Sequence, residues 1–119
     1  MDLDYNWHIP GLQNNHFNTL LKMALLKPLT QLEIETKKNQ LDPKWGLEDG
    51  QLVFDKVCSD FDEAIALINT IATLANSLDH HPKIVNEYNR ISLSLFTHDS
   101  NGITEKDFAL AKAIDALEE

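Results

Sequence analysis

The sequence predicts an α+β domain: a four-stranded antiparallel sheet with helices packed on one face, plus an extra N-terminal helix. Three observations predict it. Phe61, Ala64, Ile65, Ile68, Ile71, Ala72 and Ala75 recur every three or four positions, the period of one helix face. Ile91, Leu93 and Leu95 alternate with Ser92 and Ser94, the period of a strand with one buried and one wet face. Turn and cap signals divide the remainder into the order helix, helix, two strands, helix, two strands, helix.

Phe17, Leu20, Leu21, Ala24 and Leu25 follow helical spacing after an irregular opening at Trp7, His8, Ile9 and Pro10, with Asn14 or Asn15 available as N-cap and Pro28 as the stop. Thr30, Gln31, Leu32 and Glu33 form a capping-box pattern that starts a second helix, expected to end near 41–43. Trp45, Gly46 and Leu47 lie on one side of the acidic turn Glu48, Asp49 and Gly50, and residues 51–57 lie on the other. This is a hairpin pattern whose inward face carries Leu52 and Phe54 or their neighbours.

The long central helix begins after Ser59 and Asp60, with Asp62 and Glu63 in the first turn, where the helix dipole favours acids. It runs out at residues 78–82, because Pro82 disfavours helical geometry in the residue before it. Residues 84–88 are a short strand candidate, 99–102 a turn, and Thr104 caps a last helix reaching Leu117, with Ile103 and Phe108 placed as a hydrophobic staple. The division along the chain is 1–28, an extension carrying the amphipathic helix, and 29–119, the main domain.

A chain of 119 residues fits one core, and 43% hydrophobic residues without low-complexity tracts describe a globular protein. The net charge of -9 has the wrong sign for direct binding to nucleic acid or an anionic membrane. The longest apolar stretch, around 20–26, is broken by Lys22 and is far shorter than the roughly 20 residues of a membrane span. Cys58 is the sole cysteine, so no intramolecular disulfide can form, and the acidic opening Met1, Asp2, Leu3, Asp4 is unlike a secretory signal; the cytoplasm is the expected compartment.

Three of the five histidines fall where the chain changes direction, His80 and His81 at the end of the long helix and His98 at the end of the last strand. Such junctions are where sites are built. No cysteine or carboxylate shows metal-ligand spacing around them, so no metal is expected. Histidine, with an unperturbed pKa of about 6.5, can serve as acid or base near neutral pH.

His80, His81 and Pro82, then Tyr88, then Thr97, His98 and Asp99, then Gly102, Thr104 and Asp107 form a spaced set that resembles the signature of the pterin-4a-carbinolamine dehydratases. Trp45, Phe54, Asp60, Phe61, Glu63, Ala64 and the stretch 72–75 resemble the same family, so that the likeness spans about residues 29–117. The resemblance implies a dehydratase, a hydro-lyase, that converts 4a-hydroxytetrahydropterin to quinonoid dihydropterin and water in tetrahydrobiopterin recycling. It implies a homodimer or homotetramer, with pterin as substrate and no separate cofactor.

By that resemblance the catalytic candidates are His80, His81 and His98. His81 and His98 flank the pterin as acid/base pair, and His80 is a second acid or a positioning group. Asn76, Pro82, Thr97, Asp99 and Tyr88 are the substrate-binding candidates, Tyr88 being equally compatible with core or pocket wall. Asp107 is expected to cap the last helix.

Two positions depart from the family pattern: Asn76 stands where an acidic residue is usual, and Ile84 where an aromatic commonly follows, which would thin one wall of the pterin site. These departures and the extra helix support the alternative, a non-catalytic protein-binding or dimerization factor. The extra helix is expected to bury its Phe17, Leu20, Leu21 and Leu25 stripe on its own subunit or at an oligomer interface.

Overall fold

The computed structural model describes residues 14–117, without the side chains of residues 14–17 and Leu25. The opening expected at 7–10 lies outside the described residues. Its elements are α1 (Asn14–Leu25), α2 (Gln31–Lys38), β1 (Gly46–Glu48), β2 (Gln51–Val57), α3 (Phe61–Leu78), β3 (Lys83–Glu87), β4 (Arg90–Leu95), a 3-10 turn at His98–Ser100, and α4 (Glu105–Leu117).

Local chemistry accounts for most boundaries. At α2 the Thr30 hydroxyl accepts from Glu33 N at 3.2 Å and the Glu33 carboxylate accepts from Thr30 N at 3.0 Å, completing the capping box. The Thr30 backbone N–H foremost, and its hydroxyl beside it, hold the Glu33 carboxyl below the usual carboxylate range. The helix stops at Lys38, short of the expected 41–43, because Gln40 N and Leu41 N turn back onto Lys37 O and Lys38 O at 3.0 Å. This tighter turn drives Leu41 into the core.

Asp49 and Gly50 both take positive φ, 50° and 73°, giving the two-residue turn whose twist matches an antiparallel hairpin. Asp60 caps α3 by accepting from Glu63 N at 2.8 Å, and Asp79, at φ 51°, closes its far end in the left-handed region.

The sheet has the order β1-β2-β4-β3, every neighbour antiparallel. Register sets Leu52 opposite Leu95 and Phe54 opposite Leu93, so both strands turn the same set inward. These side chains and Ile91 pack beneath Ala64, Ile71 and Ala75 of α3 and Phe108, Leu110, Ala111 and Ile114 of α4. The opposite face carries Asp55, Val57, Val85 and Ser92, all exposed. In α1, Leu20 is 51% and Met23 63% exposed, while Leu21 is half-buried. The Phe17 and Leu25 side chains of the expected stripe lie outside the described residues.

Trp45 pins the α2–β1 connection to α4. Its ring lies 4.9 Å from that of Phe54, and its Nε1–H donates to Asp115 at 2.8 Å, while the other Asp115 oxygen accepts from Asp42 N at 2.9 Å. Asp115→Ala leaves the buried indole N–H without its acceptor, and should cost about 1–3 kcal/mol in urea denaturation with no change in the native far-UV spectrum.

Candidate functional site

The end of α3 and the end of β4 meet at one place, and both histidine-bearing segments are held there by backbone bonds. Asp79 reverses the chain, with His80 N donating to Ala75 O at 3.0 Å, so His80 and His81 leave the helix in fixed directions. Pro82 follows with its φ limited by its ring. On the other side Thr97 and Gly102 exchange backbone bonds of 3.0 and 3.4 Å, closing a loop whose tip is the 3-10 turn begun by His98. Asn101, at φ 52°, completes that loop.

Between them lies a cavity of about 350 Å³ lined by Leu26, Asp79, His80, His81, Phe96, Thr97, His98, Asp99 and Lys106. That volume is in the range of small-ligand sites, about 300–1,000 Å³. The three histidines are thus brought together with Thr97 and Asp99.

His80 is the buried member. Its Nε2 lies 2.5 Å from Oδ1 of Asp107, a residue with no solvent exposure. The other Asp107 oxygen accepts from the Thr97 hydroxyl at 2.8 Å and from Thr104 N at 2.9 Å. A carboxylate only accepts, so His80 holds its hydrogen on Nε2, and its remaining ring nitrogen is Nδ1. Thr97 spends its one hydroxyl hydrogen on Asp107, so the 2.8 Å contact with Thr104 runs from the Thr104 hydroxyl. Asp107 therefore caps α4, as expected, and also orients His80, which the sequence did not indicate.

His81 and His98 are exposed. His81 Nε2 lies 2.9 Å from Oδ1 of Asn76, one turn back along α3. With that oxygen as acceptor, Nε2 carries the hydrogen and Nδ1 is left to take a proton. His98 meets the edge of the Phe96 ring, centroids 5.2 Å apart at 74°. Among the described residues no three His, Cys, Asp or Glu side chains cluster to hold a metal.

Other candidates fall elsewhere. Tyr88 stands in the β3–β4 turn at φ 51°, 65% exposed, neither in the core nor on the cavity wall. Pro82 and Asn76 do not line the cavity; Asn76 reaches it through His81. Ile84 pairs with Leu93 and packs against the core, and it does not line this cavity: strand alternation turns the position toward the core. Leu26, Asp79, Phe96 and Lys106 are wall residues absent from the sequence-level site. The alternation of β4 held a signal for Phe96, since with Leu95 inward the next side chain must face the other way.

The family model for pterin 4 alpha carbinolamine dehydratase matches residues 27–117. The chain belongs to this family. A relative from Synechococcus sp. strain WH7803 is 45% identical over 95 residues, covering 80% of this chain and 99% of its own length. One from Chloroflexus aurantiacus is 45% identical over 89 residues, 75% of this chain and 95% of its own. Both carry the provisional name pterin-4-alpha-carbinolamine dehydratase. The crystal structure of a transcriptional coactivator/pterin dehydratase from Brucella melitensis superposes with a TM-score of 0.73 at 34% identity, covering 78% of this chain and 100% of that one.

In this dehydratase-family fold the Asp107 network is structural as well as local to the cavity. Asp107→Ala removes the acceptor for three buried donors, and should cost about 3 kcal/mol in chemical denaturation. Asp99→Ala, at an exposed position on the same cavity, should stay within about 0.5 kcal/mol of wild type.

Proposed function

We propose that this chain catalyses the dehydration of 4a-hydroxytetrahydropterins to quinonoid dihydropterins, with His80, His81 and His98 as the acid/base groups. The observation that carries this reading is the convergence of three imidazoles on one cavity, one of them anchored by a buried carboxylate.

The reaction breaks the C4a–O bond and the N5–H bond and forms C4a=N5, releasing water. One group must give a proton to the departing hydroxyl and another must take the N5 proton, and imidazole suits both near neutral pH. No electrons change hands, so the reaction calls for no redox cofactor, and pterin enters only as substrate.

His81 and His98 are assigned as the acid/base pair. The Asn76 bond supports His81 by directing its hydrogen to Nε2 and keeping Nδ1 as the exchanging nitrogen. His80, with Nε2 committed to Asp107, is assigned as the positioning group or second acid. Asp79 and Asp99 are suitable acceptors for the N–H groups on the pterin's edge, Lys106 is a suitable donor to its carbonyl, and Thr97 holds the Asp107 network in place.

The same reading places the protein in the cytoplasm, in tetrahydrobiopterin recycling, as a homodimer or homotetramer. Exposed Val57, Phe61 and Val85, and two sheet edges at β1 and β3, support self-association. Among the described residues no helix is long and apolar enough to cross a membrane.

The experiment is the dehydration rate of a synthetic 4a-hydroxytetrahydropterin followed by ultraviolet absorbance. His81→Ala and His98→Ala should each lower kcat by about 10²–10⁴-fold with the circular dichroism unchanged; an unaffected rate in both would refute the assignment. Asn76→Ala removes a single hydrogen bond to His81 and should lower kcat by only about two- to tenfold, read in the same assay.

A further inference from the structure

Leu26 lies just before α2, one residue ahead of the stretch 27–117 that the family model matches, and forms part of the histidine cavity wall. Three contacts hold the segment there. The Ser100 hydroxyl donates to the Leu26 carbonyl. Leu29 N donates to Ile103 O at 2.9 Å. Pro28 packs on Gly102, where an added Cβ would lie in van der Waals contact with the proline Cβ at 3.4 Å. All three anchors fall on residues 100–103, the return limb of the loop that presents His98, so the segment 26–29 and that loop are fastened to each other.

The chemistry of the wall gives Leu26 a task. Of the nine lining residues, Leu26 and Phe96 alone have apolar side chains; the others are His, Asp, Thr and Lys. A pterin is a flat heterocycle with hydrogen-bonding groups around its edge and two faces that gain from leaving water. A site for it needs apolar surface beside its polar groups. Phe96 supplies one such surface from the end of β4, and Leu26 supplies the other from the segment that follows α1.

We propose that Leu26 is a substrate-contacting specificity residue, an apolar wall contributed by the segment 26–29 that sets affinity for the pterin and not the rate of its dehydration. This rests on the dehydratase reading above. Leu26 carries no titratable group, and its contact with the ring is the same before and during elimination, so its loss acts on KM and leaves kcat in place.

The test uses the full-length chain and three variants in the dehydration assay, with calorimetric titration of 7,8-dihydropterin as a second readout. Leu26→Ala should raise KM and the dihydropterin Kd about five- to twentyfold, with kcat within about twofold of wild type. Ser100→Ala, which releases the segment's carbonyl anchor, should move both constants in the same direction by less. Leu20→Ala, on the exposed side of α1, should leave both unchanged.

An active wild type whose Leu26→Ala variant keeps its KM and Kd overturns the inference alone, as does a fall in kcat at constant KM. A wild type that neither turns over the carbinolamine nor binds dihydropterin overturns the dehydratase reading and this inference together.

Discussion

A carboxylate with no access to water must find a donor for each of its oxygens, and Asp107 finds them on three separate stretches of chain: His80 beyond α3, Thr97 beyond β4, and Thr104 at the start of α4. Closing all three bonds ties the ends of α3 and β4 to the start of α4. The Thr104 hydroxyl extends the network to Thr97, and no buried side-chain polar atom among the described residues lacks a partner. The geometry of the cavity thus follows from the demands of one buried carboxylate, since the residues that satisfy it stand beside His81 and His98.

The remaining cavity residues are held by backbone. The Asp79 reversal and the Thr97–Gly102 closure leave His81 and His98 exposed at the ends of well-packed elements. An exposed imidazole on a fixed stem can reach a ligand and exchange protons with water, whereas a buried one such as His80 keeps its orientation and gives up access. Three histidines close together therefore have two kinds of environment, two exposed and one buried.

Much of this was legible in the sequence where the physics is local. The 3.6-residue period of α3, the alternation of β4, the Thr30 capping box and the Asp49-Gly50 turn each involve residues within a few positions of one another, and each appears where the pattern placed it. The premature end of α2 was not legible, because the pull of the core on Leu41 comes from residues distant in sequence. The strand run 84–88 similarly concealed that Tyr88 belongs to the turn. In the site, the gathering of His80, His81, Thr97, His98 and Asp99 was readable through the family resemblance. The His80–Asp107 bond spans 27 residues, and Asp107 already had a sufficient local role as a cap. Leu26 gave no signal at all, because an apolar residue ahead of a proline reads as the end of a helix.

The left-handed residues at Asp79 and Asn101 carry one more consequence. Asp and Asn enter that region more readily than other side chains, and here the helix cap on one side and the closed loop on the other hold them in it. The directions in which the histidines point are therefore stored in two left-handed dihedral states that persist only while their neighbours stay folded. Releasing either the α3 cap or the Thr97–Gly102 closure therefore frees the histidine beside it, whatever the rest of the fold does.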